Sequence, residues 1–269
     1  MEYYEHIVSN RHSCRSFSKK KIGDDVLNSL IEYYNEEVVV LDDDIQTELK
    51  FYFGHVWEKI KGYVGYHGLC IKAPTYLVLY SDKENHYLEN AGFIAQGLTL
   101  KMTELGLAAC WQTVLDADAV KNALGEDTDM TVACVIAFGY KDPKSKEKPV
   151  PKKSLEDLVY GPKYGQETDT GLFYRELEDA LRAAAKSQSL LNLQPYKLLV
   201  DTDQISLVGI PDEATTEEDK HLNYGILMFN FFSVLWATRE APYNWSFEPV
   251  TDRDLALPDD VTYVAKFKL

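Results

Sequence analysis

Two periods of apolar spacing, one helical and one alternating, lay out most of this chain. Val26, Leu27, Leu30 and Ile31 fall on one face of a helix that Asp24 is placed to cap and that runs to about Tyr34. APTYLVLYSD at 73–82 predicts a strand, with Pro74 leading in and β-branched and aromatic residues inside. Residues 86–105 predict a helix apolar enough to be buried, through Phe93, Ile94, Leu98, Leu100, Met102 and Leu105, with Gly106 suited to its end. A shorter helix at about 116–124 opens at Asp116 or Asp118 and stops at Gly125, and MTVACVIAFGY at 130–140 reads as a strand covered on both faces. Residues 172–186 form a further helix, followed by a strand through Val200. An acidic stretch with capping signals at 213–221 leads into a second very apolar helix at 222–238, and 261–268 alternates as a strand with a polar outer face. Residues 2–9 look helical, while 38–44 and 45–66 show no decided period. The proline- and lysine-rich segment 141–165 reads as an extended surface arm or linker.

The two apolar helices sit in comparable settings. Asn90 and Gly92 precede one apolar body and Trp111 follows it; Asn223, Gly225 and Trp245 stand in the same relation in the other. Gly92 to Trp111 is 19 positions and Gly225 to Trp245 is 20, which suggests two related halves, 1–165 and 166–269.

Charge and composition narrow the function. The 269 residues suffice for one large domain or two modest ones, and 28 basic against 43 acidic residues give a net charge of −15. That balance argues against nucleic acid and anionic membranes as partners. No apolar run approaches the roughly 20 residues of a membrane helix, and the start MEYYEHIVSNRHS lacks the pattern of a signal peptide, so a cytoplasmic protein is expected. Cys14, Cys70, Cys110 and Cys134 are widely spaced and read as buried free thiols. The six histidines have no helical ligand spacing, so no metal site is expected, and no Ser/His/Asp set stands out.

In an acidic chain, clustered cations carry information. Arg11, Ser13 and Arg15 alternate, so an extended segment would turn two guanidiniums and a hydroxyl toward one anion; a solvated basic turn fits these residues equally well. Lys152 and Lys153, by composition, read as part of a soluble linker. Ser187, Ser189, Asn192 and Gln194, just before an apolar strand, could form a turn that satisfies itself.

Taken in order, these segments resemble the FMN-dependent nitroreductase family: RHSxR-F with Arg11, His12, Ser13 and Arg15, the APxYLVLYSD strand, the long helix running into LGLAACW, the strand closing on Phe138-Gly139-Tyr140, and the PVPKKSLEDLVY arm. SQSLLNLQPY matches that family's Ser-Pro-Ser-x-x-Asn-x-Gln-Pro-Trp signature in register, with Gln188 in place of Pro and Tyr196 in place of Trp. The likeness covers residues 5–160 and 172–200. It implies an α+β fold, a mainly antiparallel sheet flanked by helices, present as two related halves. Family members carry the Asn-x-Gln-Pro motif one helix after the arginine motif; here that place reads NEEVVVLDDDIQTELK, and the motif stands in the second half instead. Two subunits build each flavin site in the family, so the resemblance implies a fused, diverged dimer, acting as a monomer, with one flavin site kept. The mirror site would need an arginine motif before the helix at 172, and TDTGLFYRELEDALR has none.

By the same resemblance, Arg11, His12, Ser13, Lys152 and Lys153 would hold the flavin phosphate and its surroundings, and Arg15 would approach the N1–O2 edge of the ring. Gln112 and Thr113 match the segment whose backbone faces N5, while Ser187, Ser189, Asn192 and Gln194 come from the second half. No side chain is expected to act as acid or nucleophile, since the flavin carries the chemistry. The implied reaction is ping-pong hydride transfer from NAD(P)H to a small electron-poor acceptor such as a nitroaromatic or quinone. Phe51, Tyr52, Phe53, Trp57, Tyr63 and Tyr66 either line the acceptor space or, for most of them, pack in the core. Two other readings remain: a flavin carrier or sensor without catalysis, and a cofactor-free scaffold kept for protein interaction.

Overall fold

The two most continuous apolar runs, β2 (Thr75–Ser81) and β4 (Thr131–Gly139), are central neighbours in an antiparallel sheet. The computed structural model describes residues 4–146, 150–169, 175–238 and 244–269, which form two compact units: Asn10–Val150, and Met1–Ser9 with Pro151–Leu269.

In the first unit β1 (Thr47–Phe53) and β3 (Ala108–Gln112) flank the central pair, in the order β1-β2-β4-β3, every pairing antiparallel. One face of β2 turns Tyr76, Val78 and Tyr80 into a core with Ile60, Val120 and Val135. That core lies beside α2 (Val56–Ile60) and α4 (Ala117–Leu124), which pack on each other. Period-two alternation places Leu77 and Leu79 on the opposite face, where α3 (Tyr87–Glu104) packs on β2, β3 and β4. α3 is buried on nearly every side, as its dense apolar sequence requires. It ends at Gly106, which takes φ +74. α4 begins where Asp116 accepts a hydrogen bond from the Ala119 N–H at 2.9 Å and ends at Gly125 in the left-handed region.

The second unit repeats this plan. β6 (Tyr196–Val200), β7 (Gln204–Gly209), β8 (Trp245–Ser246) and β9 (Thr262–Lys268) pair antiparallel in the order β6-β7-β9-β8. The main helices correspond: α1 (Asp24–Glu32) and α3 in the first unit match α6 (Arg175–Ala185) and α7 (Glu217–Thr238) in the second, while α2 and α4 have no counterpart among the described residues. Even the register shift recurs, between Leu79 and Tyr80 in one sheet and between Leu207 and Val208 in the other. α7 packs on α6, and Phe231, Trp245 and Phe267 meet edge to face at 5.1–5.4 Å. Sequence pattern and structure therefore agree on an α+β fold with two related halves.

The second sheet has one strand more. After α5 (Leu155–Leu158), β5 (Val159–Tyr160) adds to β6 in parallel, pairing Val159 with Leu198 and Tyr160 with Leu199. A capping box formed by Ser154 and Asp157 starts α5. From Pro151 on, the segment read as an extended surface arm or linker belongs to the second unit, and the division falls at 150/151 rather than 165/166. The helical turn Tyr4–Val8 likewise packs on α6.

Other expectations need correction. Asp24 does not cap α1: Gly23 holds the cap position without a side-chain bond, and Asp24 and Asp25 lie in the first turn, where their charge meets the positive end of the helix. β1, α2 and β7 arise from segments without a decided period or not singled out, and LAACW is a strand rather than the end of the preceding helix. For β1, β3 and β7, pairing with a neighbouring strand, a long-range effect, overrides the local pattern; α2 is held by its packing on α4. The residues 172–174 assigned to a helix lie outside the described residues. Among the described residues, no helix is long and apolar enough to cross a membrane.

Candidate functional site

The arginine segment runs extended beside β3 and β4. Ser13 bridges Ala109, the Cys14 N–H donates to the Ala109 carbonyl at 2.9 Å, and the Ser18 N–H donates to the Tyr140 carbonyl at 2.8 Å. Burial does not follow the alternation: Arg11 and Cys14 are buried, Ser13 is half-buried and Arg15 is exposed. Arg11 Nη1 is buried with no hydrogen-bond partner, and no carboxylate pairs with Arg11 among the described residues. Burial pushes its pKa down to about 10, opposed by Cys110, which leaves it cationic at neutral pH. An unpaired buried cation costs several kcal/mol, and an anion brought to it removes that cost. Next to it, Lys141 Nζ lies 3.3 Å from His12 Nε2 and His12 Nδ1 lies 3.0 Å from the Asn10 carbonyl. The lysine can only donate, so Nε2 carries the lone pair and Nδ1–H points at Asn10.

In the second unit, two sets singled out separately in the sequence come together. Lys152 Nζ donates to Asn192 Oδ1; the Lys153 N–H donates to Gln194 Oε1 at 2.7 Å, and Lys153 Nζ to the Gln194 carbonyl at 2.8 Å. Leu191, Asn192 and Gln194 all have positive φ, from 47 to 55. Asn tolerates that region; Leu and Gln do so only where surrounding bonds enforce it. Those bonds are present. Gln194 is fully buried, its Nε2 donates to the Ala185 carbonyl at 3.0 Å, and its N–H donates to Ser189 Oγ at 2.8 Å. Ser187 Oγ, also fully buried, accepts from Asn230 Nδ2 at 2.9 Å. Gln194, Ser187 and Ser189 thus hold the loop, while the half-buried Asn192 is presented at its turn beside Lys152. Lys197 on β6 donates to the Asp157 carbonyl and stands 4.8 Å over the Tyr160 ring. Burial, and then the charge of Lys197, lower the pKa of Lys153, so the cationic character here is dense enough to be felt between neighbours.

Gln112 is buried at the end of β3 with its amide engaged. Oε1 accepts from the Ile71 N–H at 2.9 Å, and Nε2 donates to the carbonyls of Cys110 and Trp111 at 3.2 and 3.0 Å. The Thr113 carbonyl accepts from the Gly65 N–H at 2.7 Å. These contacts fix the loop after β3 and engage the side-chain amide of Gln112 within the protein. Of the aromatics at 51–66, Tyr52 bonds Tyr80 and Glu126 at 2.8 and 2.5 Å, whereas Tyr63 and Tyr66 are exposed.

Sequence reading missed Lys197 and Asn230. A lysine directly after Gln-Pro-Tyr was a visible signal; Asn230 lies within an apolar helix and gave none. In the sequence the helix-start asparagines carry no signal beyond the repeat. Both Asn90 and Asn223 are buried with Nδ2 lacking a hydrogen-bond partner among the described residues, one in each unit.

A family model described as "Putative TM nitroreductase" matches residues 2–231. Among solved structures, a "putative nitroreductase" from Thermotoga maritima is 16% identical, with 99% of this chain and 93% of that one covered and a TM-score of 0.63, a likeness of fold. A "Putative NADH dehydrogenase/NAD(P)H nitroreductase" from Parabacteroides distasonis is 19% identical over 59% of this chain and 96% of its own, with a TM-score of 0.49. An FMN-dependent nitroreductase from Clostridium difficile is 20% identical over 55% and 91%, at a TM-score of 0.45. A comparison with curated protein sequences gives no match.

Proposed function

The chain belongs to the TM nitroreductase family, and on that premise we propose that it is an FMN-dependent oxidoreductase that passes reducing equivalents from NAD(P)H to a small electron-poor acceptor, a nitroaromatic or a quinone, in a ping-pong cycle. One observation carries the reading: the buried, unpartnered Nη1 of Arg11 fits an anionic group of the cofactor. When bound, the flavin supplies reversible hydride uptake and release at N5. Arg11 and Ser13 would bind the anionic end, and Arg15 would favour negative charge on the ring. Lys152, Lys153 and Asn192 would bring cations and an amide to the same cofactor, positioned by Gln194, Ser187 and Ser189. His12, held between Lys141 and Asn10, would keep the arginine segment extended. The chain would work as a monomer that does the work of two subunits, with one flavin per chain.

The test is an FMN titration followed by flavin fluorescence, on the intact chain and on Arg11→Ala and Asn192→Ala. Each variant is expected to lose at least tenfold in affinity, about 1.4 kcal/mol. Unchanged affinity in both overturns the reading, and non-additive losses in the double variant are expected if both residues serve one flavin. Anaerobic addition of NADH should bleach the flavin spectrum; a yellow protein that NADH does not bleach would instead be a flavin carrier or sensor.

A further inference from the structure

The two sheets share one strand order but differ at one edge. In the second unit β5 covers the outer side of β6 and α5 packs on α6 and β6. In the first unit β1 pairs only with β2 among the described residues, so its outer N–H and C=O groups form a bare edge. A groove follows that edge. One cavity of about 610 Å³ lies between α1 and β1, and a second of about 770 Å³ continues past the end of β1; the two share Asp24, Leu27 and Phe53. The strand side of the groove carries Leu49, Phe51 and Phe53, alternate residues on one face, and the helix side carries Leu27 and Ile31. Phe53 is 57% exposed and Ile31 41%, so apolar surface is open along its length.

We propose that this edge and groove dock an extended segment of a partner protein, which adds to β1 as a parallel strand, apolar at alternate positions and acidic toward its C-terminal end. The molecule itself shows what such an edge takes, because its counterpart is covered by a parallel strand. Polarity follows from that geometry. β1 runs from Thr47 to Phe53, so a parallel guest ends near Phe53, where Lys19, Lys21 and Lys72 line the second cavity. Lys72 stands 4.1 Å over the Trp57 ring there. Three lysines in one groove reverse the sign of a chain whose net charge is −15, which favours an acidic guest. The same net charge on both partners opposes a second copy as the guest, and each copy's own arm is already paired with β6. A seven-residue strand spans about 23 Å, room for a guest of similar length. The proposal does not depend on flavin binding.

A random ten-residue peptide library displayed on phage, selected on the immobilised full chain, tests it. Enriched peptides should alternate apolar residues and end in Asp or Glu. The best of them, synthesised and followed by fluorescence anisotropy, should bind at least tenfold more weakly to Ile31→Glu and to Lys72→Glu, with far-UV circular dichroism and melting showing both variants folded. No enrichment, equal enrichment of peptides ending in Lys, or binding indifferent to both substitutions would overturn the proposal. So would light scattering that finds a dimer of this chain dispersed by Ile31→Glu, since the guest would then be a second copy.

Discussion

The loop that follows α1 and the loop that follows α6 occupy equivalent places in the two units, and they are built differently. After α6, Leu191, Asn192 and Gln194 hold positive φ, and a buried glutamine, two serines and two lysines clamp them. After α1, the chain unwinds through a wide helical turn at Tyr33–Glu37, and no described residue from Asn10 to Phe53 has positive φ. Tyr34 bonds Thr47 Oγ1 at 2.7 Å, and the Leu41 N–H donates to Asn90 Oδ1 at 2.8 Å. Backbone strain persists only where its surroundings enforce it, and such enforcement gathers at functional loops. The contrast is what the proposed flavin site needs: an enforced loop at 187–194 that would present Asn192, and a counterpart after α1 without such enforcement.

Breaking the clamp should have the largest effect. Gln194→Leu leaves the Lys153 N–H and the Ala185 carbonyl without partners and should lower stability by about 3 kcal/mol in urea unfolding. Asn35→Ala, at an exposed place after α1, should change it by less than about 0.5 kcal/mol. Equal losses would erase the distinction between the two loops.

The first unit keeps its polar investment on the far side of its sheet. Lys50 and Tyr52 both donate to Glu126 at 2.5 Å, and these hydrogen bonds hold its carboxyl below the usual carboxylate range. The folded state therefore binds this proton less readily than the unfolded chain. Its contribution is complete above the ordinary carboxylate pKa and is lost as pH falls through the lower folded value. Glu126→Gln should cost about 2 kcal/mol at pH 7, and urea unfolding of variant and parent should converge on acidification. A constant difference down to the lowest pH would refute this account.

Two smaller effects sharpen the comparison. Asp116→Ala removes the side-chain cap of α4 and should cost about 1 kcal/mol, whereas Asp24→Ala, at a helix without such a cap, should cost less. Leu191→Gly relieves a left-handed leucine that is half exposed and should raise thermal stability by about 0.5 kcal/mol, as glycine's entropy offsets part of the strain. A fall in stability would mean that the leucine side chain itself is held in place.

Much of the molecule was legible in residue order. β2, α3, α4 and β4 follow from period, capping and glycine, because each is set by neighbours in sequence and by burial on a known face. The duplication was legible through Asn90-x-Gly92 and Asn223-x-Gly225, since the same core demands the same helix start. β1, β3 and β7 were not, because a strand with mixed polarity is stabilised by its partner across the sheet rather than by its own pattern. Only the tertiary structure decided that Lys152 and Lys153 meet Asn192 and Gln194, some forty residues on, that Gln194 clamps rather than projects, and that Arg11 is a buried cation without a partner. Hydrogen-bond satisfaction and burial are properties of what surrounds a group in space, and no local stretch of sequence states them.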